Sequence, residues 1–99
     1  MRWRFSLQAS ADLRRIGHRI ARDNPRAAVD WIDKLRARAR LAGKSPGLGR
    51  KVPETNRDDI REAIVGNYRL VYLVRLKPSE VVILTIFEGH HLLPDLDLG

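Results

Sequence analysis

The sequence predicts an α+β fold: an N-terminal strand, a helical hairpin, and then a three-stranded antiparallel β-meander that completes one sheet. Three observations support this prediction. The first residues alternate between apolar and polar, the middle of the chain has apolar residues at helical spacing, and from residue 60 onward apolar runs are separated by short turns. A chain of 99 residues has room for one compact core, so one domain over residues 1–99 is expected, with residues 94–99 as a flexible tail.

The opening strand and the first helix follow from local periodicity. Ser10 is expected to cap the first helix, with Asp12 in its first turn, and Asn24-Pro25 is expected to end it. The alternation that predicts the strand involves Trp3, Phe5 and Leu7, and the apolar stripe of the helix consists of Leu13, Ile16 and Ile20.

The second helix is expected to have Asn24 as its cap, Pro25 in its first turn, and Gly43 as a left-handed cap at its end. Residues 44–56 lack any hydrophobic period and are expected to form an irregular connection that is basic at Arg50-Lys51. The apolar stripe of this helix consists of Ala28, Ile32, Leu35, Ala39 and Ala42.

Three strands are predicted in the second half, over residues 60–65, 68–76 and 81–87, with turns at Gly66-Asn67 and at Lys77-Pro78-Ser79. The last two are apolar on both faces, which is typical of central strands covered by helices. The expected order is therefore β-α-α-β-β-β, with the helical pair packed on one antiparallel sheet.

Charge and composition narrow the possible partners. The net charge is +7, and residues 1–51 hold 14 Lys/Arg against 4 Asp/Glu. Such a field attracts nucleic acid, an acidic protein or an anionic surface, although it is also compatible with a solvated helical face. With no cysteine and no apolar run near the ~20 residues that span a bilayer, we expect a cytoplasmic protein without disulfides or membrane contact.

The chain resembles the RelE/ParE toxin family of type II toxin–antitoxin systems. The resemblance rests on residues 66–74 (GNYRLVYLV), residues 82–90 (VILTIFEGH), the connection Pro46-Gly47-x-Gly49-Arg50 and the order of the elements. It implies a growth-inhibiting toxin, as in plasmid stabilisation, that forms a hetero-oligomer with an acidic, partly disordered antitoxin carrying a DNA-binding N-terminus.

The resemblance leaves the target open. The longer helical hairpin and the run over residues 60–69 favour a ParE-like inhibitor of DNA gyrase, which needs no nuclease residues and no cofactor. The alternative is a RelE-like, metal-independent ribonuclease that cuts mRNA on the ribosome, and a further alternative is a non-catalytic basic binding module. The balance leans away from an enzyme, because the lysine pair and the C-terminal tyrosine of RelE-like sites are missing.

Candidate site residues follow from these alternatives. For cleavage, Arg69 would bind phosphate, His90 or His91 would act as acid or base, and Arg61 would assist. Arg69 is equally well explained as a structural partner of Glu62 or Glu88, and the histidines as exposed loop residues. The surface expected to bind the target consists of Arg50, Lys51, Arg69, Glu88, His90 and His91.

Two further expectations concern the antitoxin and metals. Trp31 is either an exposed anchor or a core contact of the hairpin, and the residues expected to bind the antitoxin are Trp31, Arg36, Arg40, Val81, Leu92 and Leu93. No metal site is expected, because adjacent histidines point apart on an extended chain and no third ligand has suitable spacing.

Overall fold

A computed structural model describes residues 1–98 and shows two helices on one face of a five-stranded sheet. The elements in chain order are β1 (Arg2–Phe5), α1 (Leu7–Ala21), α2 (Pro25–Lys44), a 3₁₀ turn (Pro46–Leu48), β2 (Arg50–Lys51), β3 (Ile60–Val65), β4 (Tyr68–Leu76) and β5 (Ser79–Glu88). The predicted α+β fold is confirmed, and β5 is longer than predicted by two residues at its start and one at its end.

The sheet has the strand order β1-β5-β4-β3-β2. β3, β4 and β5 form the predicted antiparallel meander, but β1 runs parallel to β5, so the sheet is mixed and not wholly antiparallel as expected. β2 is a strand that the sequence did not predict. It has only two residues, both exposed, and pairs antiparallel with Glu62 and Arg61 of β3, so it carries no apolar pattern that sequence analysis can detect.

α1 begins four residues earlier than the Ser10 cap predicted from the sequence. The Oγ of Ser6 accepts a hydrogen bond from the amide of Ala9 at 3.0 Å and donates one to the carbonyl of Leu84 at 2.9 Å. Ser6 therefore caps the helix and ties its start to β5. Leu7, expected in the strand, lies in the first turn with 93% of its surface exposed.

α2 starts as predicted but ends differently. Asn24 accepts a hydrogen bond from the amide of Ala27, and Pro25 occupies the first turn. Gly43, predicted as a left-handed cap, is instead buried inside the helix, which continues to Lys44. A Cβ at this position would lie 2.6 Å from Cδ1 of Trp3, so the glycine is needed for close packing of α2 on β1.

The sheet has an apolar cluster on each face. The first contains or contacts every residue of the two predicted helical stripes except Ala28, together with Ala63, Leu70 and Ile83, which confirms most of the predicted helical faces. The second lies on the opposite face and includes Val71 and Leu73. The last two strands were expected to be apolar on both faces as central strands covered by helices, but this second face is covered by Val52 and by the C-terminal residues Leu93, Leu96 and Leu98.

A β-bulge lies next to the two residues of β5 that bind Asp12 of α1. The register between β4 and β5 shifts between Val71 and Tyr72, so one residue of β5, Leu84, is left without a partner. The Oγ of Thr85 and the amide of Ile86 then both donate to a single oxygen of Asp12, at 2.6 and 3.0 Å.

No helix within residues 1–98 is long and apolar enough to cross a membrane.

Candidate functional site

Arg69 lies near the start of β4, on the sheet face opposite the helices, within a network of two carboxylates. Its Nε donates to Glu62 at 2.6 Å, and its two terminal nitrogens donate to the two oxygens of Glu54 at 2.8 Å each. The Glu62 side chain is fully buried and also accepts from Nε of Arg50 at 2.7 Å. The guanidinium also lies over the ring of Phe87, 5.1 Å from its centroid. Only 10% of the Arg69 side chain remains exposed.

The electrostatics of this network favour the charged forms of Arg69 and Glu54. The hydrogen bonds that Arg69 donates to Glu54, and then the one it donates to Glu62, raise the pKa of Arg69 above its ordinary value, against the opposing effect of burial. The hydrogen bonds from Arg69 lower the pKa of Glu54 for the same reason. Glu54 is therefore an ionised partner of Arg69 and a weak general base. The pairing of Arg69 with Glu62 that the sequence offered as a structural alternative is present, whereas Glu88 does not take part.

A cavity of about 400 Å³ opens beside this network. Arg69 and Glu54 form part of its lining, as do Arg50, the Gly66–Asn67 turn and His90. Of the candidate residues for cleavage, Arg69 and His90 therefore line the same cavity. His91 lies in a smaller neighbouring cavity on the helix side, with Arg19, Tyr68 and Glu88.

The end of β5 is a tight turn that brings Glu88, His90 and His91 together. The amide of Gly89 donates to the carbonyl of Asn67, and the amide of His91 donates to the carbonyl of Glu88. The two imidazole rings lie edge to face with centroids 4.4 Å apart, and Nε2 of His90 lies 3.3 Å from Oε2 of Glu88. The expectation that the histidines point apart is therefore wrong, because it assumed an extended chain where the structure has a turn.

Glu88 is held in place from α1. Arg19 donates to the hydroxyl of Tyr68 at 3.0 Å and forms an ion pair with Oε1 of Glu88. These contacts, led by the hydrogen bond to Tyr68, raise the pKa of Arg19. Arg19 is one of many basic residues in the first half of the chain, and no sequence motif distinguishes it from the others. A contact over 49 residues leaves no local pattern by which it could have been found.

Two of the basic candidate residues do not join Arg69: Arg61 faces the other side of the sheet, and Lys51 is paired with an aspartate. Arg61 alternates with Glu62 on β3, so it faces the other side of the sheet and donates to the carbonyl of Gly49 at 3.1 Å. It does not join Arg69, contrary to its place in the expected catalytic set. Lys51 is exposed and contacts Asp58 at 2.5 Å.

The residues expected to bind the antitoxin are scattered over the molecule. Trp31 packs against the core and lies edge to face with Tyr68 at 5.5 Å, which is the core-contact alternative. Val81 is fully buried, so it is not the surface residue that the sequence suggested, and Leu93 is half-buried under the sheet. The remaining members are exposed: Arg36, Arg40 and Leu92.

The hairpin presents a groove of about 440 Å³ that the sequence did not single out. Its floor is apolar, with Phe5, Leu13 and Ile32, and its rim is basic, with Arg14 and Arg36. Gly17 lets the two helices approach closely here, since a Cβ would lie 3.3 Å from Cδ1 of Ile32. The groove is suited to an amphipathic segment with acidic residues at its edges.

Asp12 is a buried polar residue whose role was also missed. It was expected in the first turn of the helix but lies in the middle of α1, 1% exposed, where it accepts the two bonds from β5. It lies three residues after Ala9 and four before Ile16, so it occupies the apolar stripe itself. A carboxylate at a stripe position was the available sign that it binds inside the fold.

Comparison with known proteins identifies the family. Residues 3–92 match the family described as the ParE toxin of type II toxin–antitoxin systems, parDE. No curated protein gave a significant match. Among solved structures, the chain is similar to one from the chromosomal ParDE system of P. aeruginosa, with 18% identity, a TM-score of 0.74, and coverage of 89% of this chain and 95% of that one.

A second similar structure comes from the toxin–antitoxin complex RelBE2 of Mycobacterium tuberculosis, with 23% identity and a TM-score of 0.59. The match covers 88% of this chain and 95% of that one. At these identities the two structures support the fold. The family match spans nearly the whole chain, including both helices, the meander and the carboxylate-bound Arg69, and the chain therefore belongs to the ParE toxin family of type II toxin–antitoxin systems.

Proposed function

We propose that this chain arrests growth in the cytoplasm by binding DNA gyrase without cutting nucleic acid, and that an acidic antitoxin neutralises it. The observation that supports the proposal is that the hydrogen-bond donors of Arg69 are already bound to carboxylates within the protein. Arg69 is the side chain best suited to hold a phosphate, yet Glu54 and Glu62 occupy its donors and only a tenth of it is exposed. Its charge is compensated inside the protein, so little remains to stabilise a developing negative charge on a substrate.

The proposed gyrase-binding surface surrounds the cavity beside Arg69. Arg50 and His90 line this cavity and are exposed, and the exposed Lys51 follows Arg50 on β2 at its margin. The cavity is open to solvent between β2 and the end of β5. Exposed basic groups of this kind steer association with acidic surfaces. The reversal Lys51→Glu is expected to weaken binding to gyrase, whereas Lys77→Glu, an exposed lysine in the β4–β5 turn, serves as its matched control.

The RelE-like alternative has one specific observation in its favour. Arg69 and His90 line the same cavity, and Glu54 lies there as well, so a cation, an imidazole and a carboxylate are within one site. Cleavage through this set would require Arg69 to leave its carboxylates. A nuclease should then lose activity by orders of magnitude in Arg69→Lys, a variant that retains the charge.

The deciding experiment uses the purified chain against both targets. Inhibition of gyrase supercoiling, with ribosome-bound mRNA left intact, supports the proposal. In cells that express the chain, the proposal predicts filamentation with DNA-damage signalling. If mRNA is cleaved and supercoiling is unaffected, the gyrase proposal is wrong and the chain is a ribonuclease. Binding to nucleic acid without growth arrest would leave the basic binding module as the remaining function.

The antitoxin is proposed to lay an acidic amphipathic segment in the groove between α1 and α2. The apolar floor and basic rim of that groove complement such a segment, and Arg36 lies at its edge, 6.0 Å from the ring of Phe5. Arg36→Glu is expected to weaken the complex with the product of the neighbouring reading frame. Arg57→Glu, an exposed arginine in the loop before β3, should leave its affinity unchanged.

A further inference from the structure

We propose that Glu88, His90 and His91 form a binding site for one transition-metal ion of the Zn²⁺ type. The turn after β5 brings one carboxylate and two imidazoles together, and all three donor atoms lie within 4.8 Å of one another. Neither the proposed inhibition of gyrase nor binding of an antitoxin requires such a site, so the inference stands independently of them.

The distances are close to those of a tetrahedral ion. Ligands about 2.0–2.1 Å from Zn²⁺ lie about 3.4 Å from each other in a tetrahedron. Nε2 of His90 and Oε2 of Glu88 are already 3.3 Å apart. Both histidines are exposed, so rotation of the His91 ring can close the remaining distance without disturbing the core.

The second requirement of a metal site, a fixed carboxylate, is met from α1. Arg19 binds Oε1 of Glu88, and the other oxygen of the same carboxylate faces His90. Arg19 is itself anchored on the hydroxyl of Tyr68. An outer partner that orients one oxygen leaves the other directed at the ion, which is the usual arrangement around ligating carboxylates.

The surrounding charge determines which ions can bind. The site has one carboxylate, and the positively charged Arg15 and Arg19 lie beside it. Ca²⁺ and Mg²⁺ depend on several oxygen ligands, so this environment disfavours them. Ions that bond well to imidazole, such as Zn²⁺, Ni²⁺ and Cu²⁺, tolerate it better. Three ligands from the chain leave a further coordination position for water.

The composition of the chain allows a clean test. It has no cysteine and only three histidines, and the third, His18, is exposed on α1 in the hairpin groove. Tag-free protein is titrated with ZnCl₂ by calorimetry, and with Co²⁺ for the visible absorption that reports coordination geometry. We expect one ion per chain, an increase in melting temperature with Zn²⁺, and no binding of Mg²⁺ at the same concentrations.

The variants separate the proposal from adventitious binding. His90→Ala and His91→Ala should each weaken Zn²⁺ binding by about tenfold or more, since even outer partners of metal sites produce losses of that size. His18→Ala is the matched control and should bind like wild type. Without metal, all three variants should melt as wild type does, because the three side chains are exposed.

Three results would overturn the site. One is Zn²⁺ binding that is equally strong in the His90→Ala/His91→Ala double variant. A second is a stoichiometry of one ion per two chains, which would place the ion between copies and not within one turn. Loss of binding in His18→Ala to the same degree would likewise show that the histidines act only as scattered surface ligands.

Discussion

At the scale of single residues, the central feature is the buried charge of Glu62. Its carboxylate has no exposed surface and is compensated by Arg69 on one oxygen and Arg50 on the other. Taking such a group out of water is costly unless its partners are in place. Arg69 is therefore first a structural residue of the sheet, whatever it contributes to target binding.

Removal of Arg69 tests this directly. Arg69→Ala leaves Glu62 with one partner and is expected to lower the free energy of unfolding by roughly 3 kcal/mol, the lower end for a broken buried pair because Arg50 remains. Urea denaturation followed by circular dichroism measures it. Arg57→Ala breaks an exposed pair with Asp59 and is the control, expected to have no measurable effect. Equal stability of Arg69→Ala and wild type would contradict the structural role.

Glu54 gives a prediction for pH. Its pKa is lowered in the folded state by Arg69, so the unfolded chain binds more protons and stability from this residue is lost as pH falls below the ordinary value of 4.5. Glu54→Gln should therefore be less stable than wild type at neutral pH, by at most about 1 kcal/mol because the carboxylate is partly exposed. The difference should vanish at low pH.

The comparison must be made as a difference between the two proteins. The pKa values of Asp58 and Asp59 are also lowered, by Lys51 and Arg57, so the wild-type profile alone mixes three carboxylates. Urea midpoints at several pH values, wild type minus variant, isolate Glu54. A constant difference across the acid range would show that the Arg69 contact does not shift its titration.

At the scale of elements, the contact of α2 with β1 depends on Gly43. Gly→Ala inside a helix normally stabilises by about 1 kcal/mol. Here the new Cβ would meet the Trp3 side chain at 2.6–2.9 Å, so Gly43→Ala is expected to destabilise by about 1–3 kcal/mol through overpacking. Thermal melts compare it with Gly47→Ala, where the new Cβ has nothing within 4 Å. Adding Trp3→Leu should restore part of the stability lost in Gly43→Ala. If it does not, a clash with Trp3 is not the cause of the loss.

The elements also show what sequence patterns can and cannot predict. The meander was predictable because its strands are long apolar runs bounded by the Gly66–Asn67 and Lys77–Pro78 turns. The Ser6 cap was missed because it depends on a carbonyl 78 residues away as well as on local sequence. β2 was missed because a two-residue charged strand exists only through its pairing with β3.

The candidate site was predictable only in part for the same reason. Arg69 and the histidines stood out by type and position, but the partners that define them come from other elements: Glu54 from a loop and Arg19 from α1. The side-chain direction of His91 depends on the turn at Gly89, whereas the expectation that the two histidines point apart assumed an extended chain there. The residue types suggested which side chains could bind a target or a substrate, but the tertiary contacts determine which of these side chains are already paired within the fold.

At the scale of the whole molecule, the two faces of the sheet are covered by different means. The helical hairpin covers one face, and it also carries most of the positive charge. The other face is covered by the segment after residue 92, which has no regular secondary structure and lies beyond the family match. Arg75 fixes part of it by donating to the carbonyl of Leu98 at 2.9 Å.

Whether that segment belongs to the core or is the flexible tail expected from its sequence can be tested with matched leucines. Leu96 and Leu98 are half-buried against the second cluster, whereas Leu92 is 92% exposed. Leu96→Ser with Leu98→Ser should destabilise by roughly 2 kcal/mol, since each removes a partly buried side chain, and should increase binding of the dye ANS to the uncovered sheet. Leu92→Ser should do neither. Equal stability and equal ANS fluorescence in all three proteins would mean that the tail is mobile, and the apolar face would then be open in the free toxin.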